Sequence, residues 1–163
     1  MNGRKLRVAG CVFNKCSAKS YGGGLVASYT DRLEMSDTQF LNCNSWRFSD
    51  MSIQRTNEAM LCGIESDESV ATESCNINVE THLEIFITNM NQTYSRGKYD
   101  GMYTKSAGFA FHRYIIIDGC NTITRGREFI VCGYQASSVY FRLSNCTASN
   151  GPLMKIVPER IRM

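Results

Sequence analysis

Short segments in which every second residue is apolar recur along the chain. Three positions after the last apolar residue of each segment lies a residue, most often cysteine, that we call the anchor. The anchors are Cys16, Cys43, Asp67, Met90, Cys120 and Cys146. Successive anchors are 27, 24, 23, 30 and 26 residues apart, and the longest interval predicts an enlarged loop over residues 92–108. Alternation with a period of two indicates β-strands, and a repeat of this length is typical of stacked coils. The pattern therefore predicts a solenoid with one copy of the segment in each coil.

Residues at the same distance before the anchor should stack in such a solenoid, with alternate columns turned inward. Three residues before the anchor, the column is Phe13, Phe40, Ile64, Ile87, Ile117 and Leu143. When the columns five and seven residues before the anchor are added, 15 of 18 positions are apolar or cysteine. The exceptions are Ser36, Thr38 and Arg113. We expect these three columns to form the core, where the charge of Arg113 would be costly unless it were paired.

Asparagine is frequent next to the anchors, and Asn42, Asn89 and Asn145 each precede one directly. Because asparagine tolerates left-handed backbone angles, each strand is predicted to end in a turn at this point. The predicted fold is an all-β parallel solenoid of about six coils. The alternative is an antiparallel β-sandwich, whose strands would also be short and regularly spaced.

The composition fits a single domain over residues 1–163, with 43% hydrophobic and 20% charged residues. The net charge of +3 comes mostly from scattered basic residues, which argues against a nucleic-acid-binding face. The longest apolar runs are far too short to span a membrane. Residues 1–20 lack an apolar leader, and neither end carries an evident cap. We therefore expect a fragment of a longer solenoid, or end-to-end self-association.

The eight cysteines either form disulfides or serve as small buried side chains. Pairs such as Cys16–Cys43 and Cys120–Cys146 lie one coil apart, so both interpretations stay open for them. No two cysteines form a C-x-x-C motif. We therefore expect no metal site and no cofactor.

Two further motifs have local explanations. The glycine run 22–24 lacks the Lys-Ser/Thr pair of a phosphate-binding loop and is interpreted as a close backbone approach at a coil corner. Glycosylation sequons occur at Asn91 and Asn145, and their use would require exposed turns and a secretory route.

The stretch Phe13-Asn14-Lys15-Cys16-Ser17-Ala18 followed by Gly22-Gly23-Gly24-Leu25, with echoes at 40–43 and 143–148, resembles the repeats of right-handed parallel β-helix proteins with a pectin-lyase-like fold. It is similar to the polymorphic outer-membrane-type repeats of bacterial and protist surface proteins, in which an F-x-N-C-like strand end precedes a G-G-A-I-like element. The resemblance implies a right-handed solenoid and an extracellular or cell-surface location. Members of the fold include polysaccharide lyases, hydrolases, adhesins and structural spacers, so the resemblance implies no single function.

The two histidines of the chain, His82 and His112, stand eight residues before successive anchors and so fall in one outward column. Adjacent coils would hold their backbones roughly 4.8 Å apart, with Glu84 and Tyr114 beside them. Such a group could bind a metal or a sugar. The alternative is that two residues share a column by coincidence on a covered sheet face.

Aromatic residues on the same outward side give the best candidate surface. Tyr114, Tyr140 and Phe86 would offer flat apolar faces to a glycan or a protein partner. The candidate binding residues are therefore His82, Glu84, His112, Tyr114 and Tyr140.

No catalytic residue is assigned, because no two adjacent coils offer Asp or Glu at the same offset, as calcium-dependent lyases and glycosidases would require. We predict a non-enzymatic surface or adhesion protein that presents a rigid ladder to a glycan or a surface protein. The alternatives are a carbohydrate-active enzyme on the same fold, either a polysaccharide lyase or a hydrolase, and a structural spacer. A carboxylate cluster in a groove would distinguish the enzyme.

Overall fold

A computed structural model describes residues 3–98, 100–122, 127–148 and 154–158. Over these residues the chain forms fifteen strands and no helix. The strands are β1 (Lys5–Ala9), β2 (Val12–Asn14), β3 (Ser17–Tyr21), β4 (Leu25–Ser28), β5 (Arg32–Leu41), β6 (Asn44–Arg47), β7 (Met51–Asp67), β8 (Val70–Ala71), β9 (Ile77–Thr93), β10 (Arg96–Gly97), β11 (Asp100–Asp118), β12 (Asn121–Thr122), β13 (Arg127–Ser144), β14 (Thr147–Ala148) and β15 (Met154–Pro158).

The strands form two parallel sheets. The larger sheet has the order β1-β5-β7-β9-β11-β13-β15, with β2 beside β5 and β4 beside β7, and the smaller one runs β14-β12-β10-β8-β6-β3. Every ladder pairs a strand with the corresponding strand about one turn further along the chain. The chain is therefore a parallel β-solenoid of about five turns, which confirms the predicted all-β fold and excludes the antiparallel sandwich. The right hand of the solenoid stays a prediction.

The predicted stacking is right at both ends of the solenoid and wrong in its middle. Phe13 pairs with Phe40, and Ile117 pairs with Leu143. Between them the same column contains Ser66 and Gln92, whereas Ile64 and Ile87 belong to other columns. The middle anchors are Ser69 and Ser95 rather than Asp67 and Met90, since Arg96 N–H bonds to Ser69 O and Asn121 N–H to Ser95 O.

The corrected anchors make the repeat more regular than the sequence pattern indicates. Residues 92–108 are therefore not an enlarged loop, as a 30-residue interval predicts, because β11 begins at Asp100. The prediction failed there because serine occupies the anchor position and polar residues occupy the core column, so the apolar pattern is absent from these turns.

Two columns of residues with left-handed backbone form the corners of the solenoid. Their φ angles lie between 47° and 65°. The first column is Gly10, Asp37, Gly63, Asn89, Tyr114 and Tyr140. The second directly precedes the anchors and is Lys15, Asn42, Glu68, Tyr94, Gly119 and Asn145. The predicted turn before each anchor is thus confirmed at Asn42 and Asn145, while Asn89 belongs to the other corner.

The first corner also reverses the alternation of inward and outward side chains. Five residues before the anchor, side chains such as those of Thr38 and Ile115 are buried. Seven residues before it, on the far side of the corner, Cys62 and Arg113 are exposed, and eight before it Leu61 is buried. The expected inward column that contains Arg113 therefore faces outward, because one left-handed residue shifts the alternation by one position.

The anchor side chains share one hydrogen-bonding role, which explains why serine can replace cysteine in this column. Each donates to the carbonyl two residues earlier: Cys146 Sγ lies 3.1 Å from Ser144 O, and Ser95 Oγ lies 3.1 Å from Thr93 O. A small donor that satisfies a corner carbonyl is needed, and either residue provides it. No disulfide joins the seven cysteines whose side chains the structure describes.

The glycine run occupies a close backbone approach, as predicted. A Cβ on Gly23 would lie 2.4 Å from Ser49 O, and one on Gly24 would lie 2.5 Å from the Phe40 ring. Larger residues would therefore push the first turn away from the second.

The left-handed corners predict an unusual response to glycine. We expect Glu68→Gly to raise the free energy of unfolding by up to about 1 kcal/mol, because the left-handed cost of about 1–2 kcal/mol exceeds the entropy gained by the unfolded chain, ~0.4–1 kcal/mol. Glu68 is exposed, with φ 52°. The matched control is Glu65→Gly on the exposed side of β7, which should lower the value by about 0.5–1 kcal/mol. If urea denaturation shows that both variants lose the same free energy of unfolding, the assignment of Glu68 to a left-handed corner is wrong.

Thiol reactivity should follow position in the solenoid. Burial, with a smaller contribution from the nearby Asp50, raises the pKa of Cys43 to about 12, whereas a hydrogen bond from Cys120 lowers the pKa of Cys146 to about 7. Cys62 is exposed. In the native protein at pH 8 we expect iodoacetamide to label Cys62 and Cys146 first, and Cys43 only at the rate of unfolding. Peptide mass spectrometry in which Cys43 reacts as fast as Cys62 would refute this order.

Candidate functional site: an aromatic face and its tyrosine corner

The two histidines do not meet in the structure. His112 is buried, and its Nε2 lies 3.1 Å from Thr104 Oγ1. Burial lowers the pKa of His112 to about 4. His82 is exposed and lines a cleft with Arg55 and Lys105. The strand partners of His112 are Ile87 and Ser138, so the predicted histidine column is wrong.

Two separate errors produced that prediction. The left-handed corner at Tyr114 turns His112 into the core, in the column of Leu61 and Ile87. The anchor after His82 is Ser95, five residues beyond Met90, so His82 lies near a different bend. At that bend the ladder between β9 and β11 is irregular between Ser106 and Phe109.

Glu84 lies on the outer surface of β9, opposite Glu58 on one side and Phe109 on the other. Two adjacent coils therefore do offer carboxylates at the same offset, contrary to the sequence-based expectation. Glu58 also lies 3.7 Å from Arg32, within an exposed ion-pair network that includes Glu34. Such exposed pairs contribute little to stability.

Tyr114 and Tyr140 are brought together as predicted. Their ring centroids are 5.3 Å apart at the first corner, where both residues have left-handed backbone. The Arg113 guanidinium lies 4.8 Å from the centroid of the Tyr114 ring, and its Nη2 donates to the Tyr114 hydroxyl at 3.3 Å. We call these three residues the tyrosine corner.

Three phenylalanines lie next to the tyrosine corner on the outer surface of the larger sheet. Phe86 of β9 is 5.8 Å from Phe109 and 6.2 Å from Phe111 of β11, measured between ring centroids. Phe109 and Phe111 are stacked at 6.3 Å. Phe86 and Phe111 also line a depression of about 360 Å³ with Met60. We call Met60, Phe86, Phe109 and Phe111 the aromatic face.

The aromatic face and the tyrosine corner are parts of one surface. Phe109, Phe111 and Arg113 alternate along the outside of β11, and Tyr114 follows directly at the corner. The sequence pattern places Phe86 and the tyrosines outward but does not indicate Phe109 and Phe111. The alternation Phe109-x-Phe111-x-Arg113 indicates an outward aromatic row, but the register that the anchors at Met90 and Cys120 predict does not extend the strand back to Phe109.

A second depression lies at the bend that carries His82. It consists of two adjoining clefts of about 340 and 410 Å³, which share Arg55 and His82. The Arg55 guanidinium lies 5.0 Å from the Tyr29 ring centroid, and Asn57 Nδ2 donates to Asp31 Oδ1 at 3.0 Å. Both charge signs line these clefts, so they offer no uniform field to a charged ligand.

Both sequon asparagines are exposed, and Asn145 Nδ2 donates to Asp118 Oδ1 at 2.9 Å. Among the residues that the structure describes, no three His, Cys, Asp or Glu side chains converge as metal ligands. Nor does that part of the chain contain a helix with the length and apolarity needed to cross a membrane. Comparison of the chain with protein-family models, with curated proteins and with solved structures found no significant match.

The buried His112 predicts a specific dependence of stability on pH. Its folded pKa lies below the unfolded value of about 6.5, so the folded state binds fewer protons and loses stability as the pH falls from about 6.5 towards 4. We expect His112→Met to remove this contribution, which is at most roughly 1.4 kcal/mol per pH unit. The control is His82→Gln at the exposed histidine. The free energy of unfolding is measured in urea between pH 4 and 7. If it depends on pH in H112M as it does in the wild type, the assignment of this dependence to His112 is wrong.

Proposed function

We propose that this protein is a non-enzymatic β-solenoid of the surface or adhesion type, and that it binds glycans through the aromatic face and the tyrosine corner. The observation that carries the proposal is the continuous outward surface formed by Phe86, Phe109, Phe111 and the Tyr114–Tyr140 pair. An extracellular or cell-surface location and the right-handed, pectin-lyase-like character belong to the same proposal, and rest on the resemblance of the repeats.

The chemistry of the surface suits a sugar. A pyranose ring presents C–H groups on one face, which pack against an aromatic ring, and hydroxyl groups around its edge. Phe109 and Phe111 supply rings in a nearly parallel arrangement, 10° apart. The Tyr114 hydroxyl and the Arg113 guanidinium supply polar groups at the border, where sugar hydroxyls or a uronate would lie.

The rigidity of the surface favours binding. The phenylalanines stand on paired strands whose backbone hydrogen bonds hold their spacing, and Tyr114 and Tyr140 stand on stacked corner residues. A ligand would therefore order few side chains when it binds, which lowers the entropic cost of association.

The test is glycan-array binding followed by calorimetry with the best ligand. We expect Phe111→Thr and Tyr114→Asn each to weaken binding at least tenfold, because each removes a ring while keeping a residue suited to its backbone. The matched control is Tyr94→Asn, since Tyr94 is also an exposed tyrosine with left-handed backbone but lies at the other corner. The proposal fails if no glycan binds, or if Phe111→Thr and Tyr114→Asn bind no more weakly than the Tyr94→Asn control.

The alternative function, a carbohydrate-active enzyme, is tested with the same glycans. Glu58 and Glu84 stand on adjacent strands at the border of the aromatic face, and a retaining glycosidase uses two carboxyl groups about 5–5.5 Å apart. Release of new reducing ends by the wild type, abolished in Glu84→Gln, would favour the enzyme over the binding protein.

A further inference from the structure

The interior of the solenoid changes from apolar to polar in its middle turns. Three stacked columns change together at this level. The first reads Phe13, Phe40, Ser66, Gln92, Ile117 and Leu143; the anchor column reads Cys16, Cys43, Ser69, Ser95, Cys120 and Cys146; and the third reads Gly24, Asp50, Asn76 and Gly101. A coordinated change in three facing columns indicates one polar site rather than three separate substitutions.

The residues of this polar interior contact one another. Ser66 Oγ donates to Asp50 Oδ2 at 2.5 Å and lies 3.3 Å from Ser95 Oγ. Asn76 stacks on Asp50, since the Asp50 N–H bonds to Asn76 O at 3.1 Å. Gln92 stacks on Ser66 in the parallel ladder between β7 and β9. Asp50, Asn76 and Gln92 are all 0% exposed.

Four atoms of these side chains have no hydrogen-bond partner: Asp50 Oδ1, Asn76 Oδ1, Gln92 Oε1 and Gln92 Nε2. Three of the four are oxygen acceptors, so the group has an excess of electron pairs over protons. A buried polar atom without a partner costs about 1–3 kcal/mol, so a native core normally satisfies it. A bound species that accepts electron pairs from oxygen would satisfy the three acceptors at once.

The negative charge of the site also favours a bound species that accepts electron pairs from oxygen. Among the residues whose burial the structure describes, Asp50 is the one buried carboxylate, and no lysine or arginine is buried. Burial raises the pKa of Asp50 to about 7. The ionised Asp50 accepts from the neutral Ser66 but has no buried lysine or arginine beside it, so a positive counter-charge is strongly favoured there.

We propose that the middle of the solenoid binds one monovalent hard cation of the sodium type, through the side-chain oxygens of Asp50, Asn76 and Gln92. Carboxylate and amide oxygens are hard ligands, which suit alkali and alkaline-earth ions rather than zinc or copper. A single carboxylate balances one positive charge, whereas calcium sites take six to eight oxygens and usually several carboxylates. This site does not depend on the proposed glycan surface.

The test measures thermal unfolding of the whole protein at pH 8.5 in sodium chloride, potassium chloride, calcium chloride and choline chloride, matched for ionic strength. Near saturation, each tenfold rise in sodium should raise Tm by about 3–5 °C over choline.

Three variants locate the effect. Asp50→Asn removes the charge and should abolish the sodium dependence, and Gln92→Met, which matches the apolar neighbours of its column, should reduce it. The matched control is Asp37→Asn, because Asp37 is an exposed carboxylate at a left-handed corner that asparagine tolerates. It should keep the full sodium effect.

The proposal is overturned if Tm is the same in sodium and choline, in which case water alone occupies the polar interior. A larger response to calcium or potassium than to sodium would also refute it. So would a sodium effect that survives in Asp50→Asn.

Discussion

The left-handed backbone at the corners is the constraint on which the rest of the structure depends. At two positions in every turn that the structure describes, the chain holds φ between +47° and +65°, and in parallel stacking each such residue lies over the corresponding one of the neighbouring turn. Glycine occupies this conformation at low cost, yet aspartate, glutamate, lysine and tyrosine occupy it here as well. The ladder hydrogen bonds on both sides of each corner must therefore outweigh a local cost of about 1–2 kcal/mol per residue.

The corners also decide which side chains are available for function. One left-handed residue shifts the alternation, so His112 is buried and Arg113 is exposed. The same corner carries Tyr114 and Tyr140 outward and places them beside the phenylalanines of β9 and β11. The candidate glycan surface therefore exists because the backbone bends between Arg113 and Ile115.

The interior of the solenoid tolerates more chemical variety than a compact core, because parallel hydrogen bonds set the stacking of each turn. Phenylalanine, serine, glutamine and isoleucine all occupy one inward column without a change in the ladder. The requirements on such a column are local. Apolar residues need apolar neighbours in adjacent turns, and polar residues need hydrogen-bond partners. In the polar middle, serines bond to Asp50 and Asn76, and the oxygen atoms that stay without a partner are those that a bound cation would satisfy.

The sequence by itself determined the parallel stacking of coils, the turns at Asn42 and Asn145, the Phe13–Phe40 and Ile117–Leu143 contacts, and the pairing of Tyr114 with Tyr140. These features follow from the repeat length and from apolar residues that recur at both ends of the chain. The tertiary structure alone decided the register of the middle turns, the side on which His112 and Arg113 lie, and the assembly of the aromatic face. Backbone hydrogen bonds set the register of the turns without regard to side-chain type. Ser69 and Ser95 can therefore stand where cysteine stands in other turns, and a pattern of apolar residues does not identify them as anchors. A left-handed corner formed by tyrosine or aspartate has no residue signature, and the reversal that it causes becomes visible only when the turns are stacked.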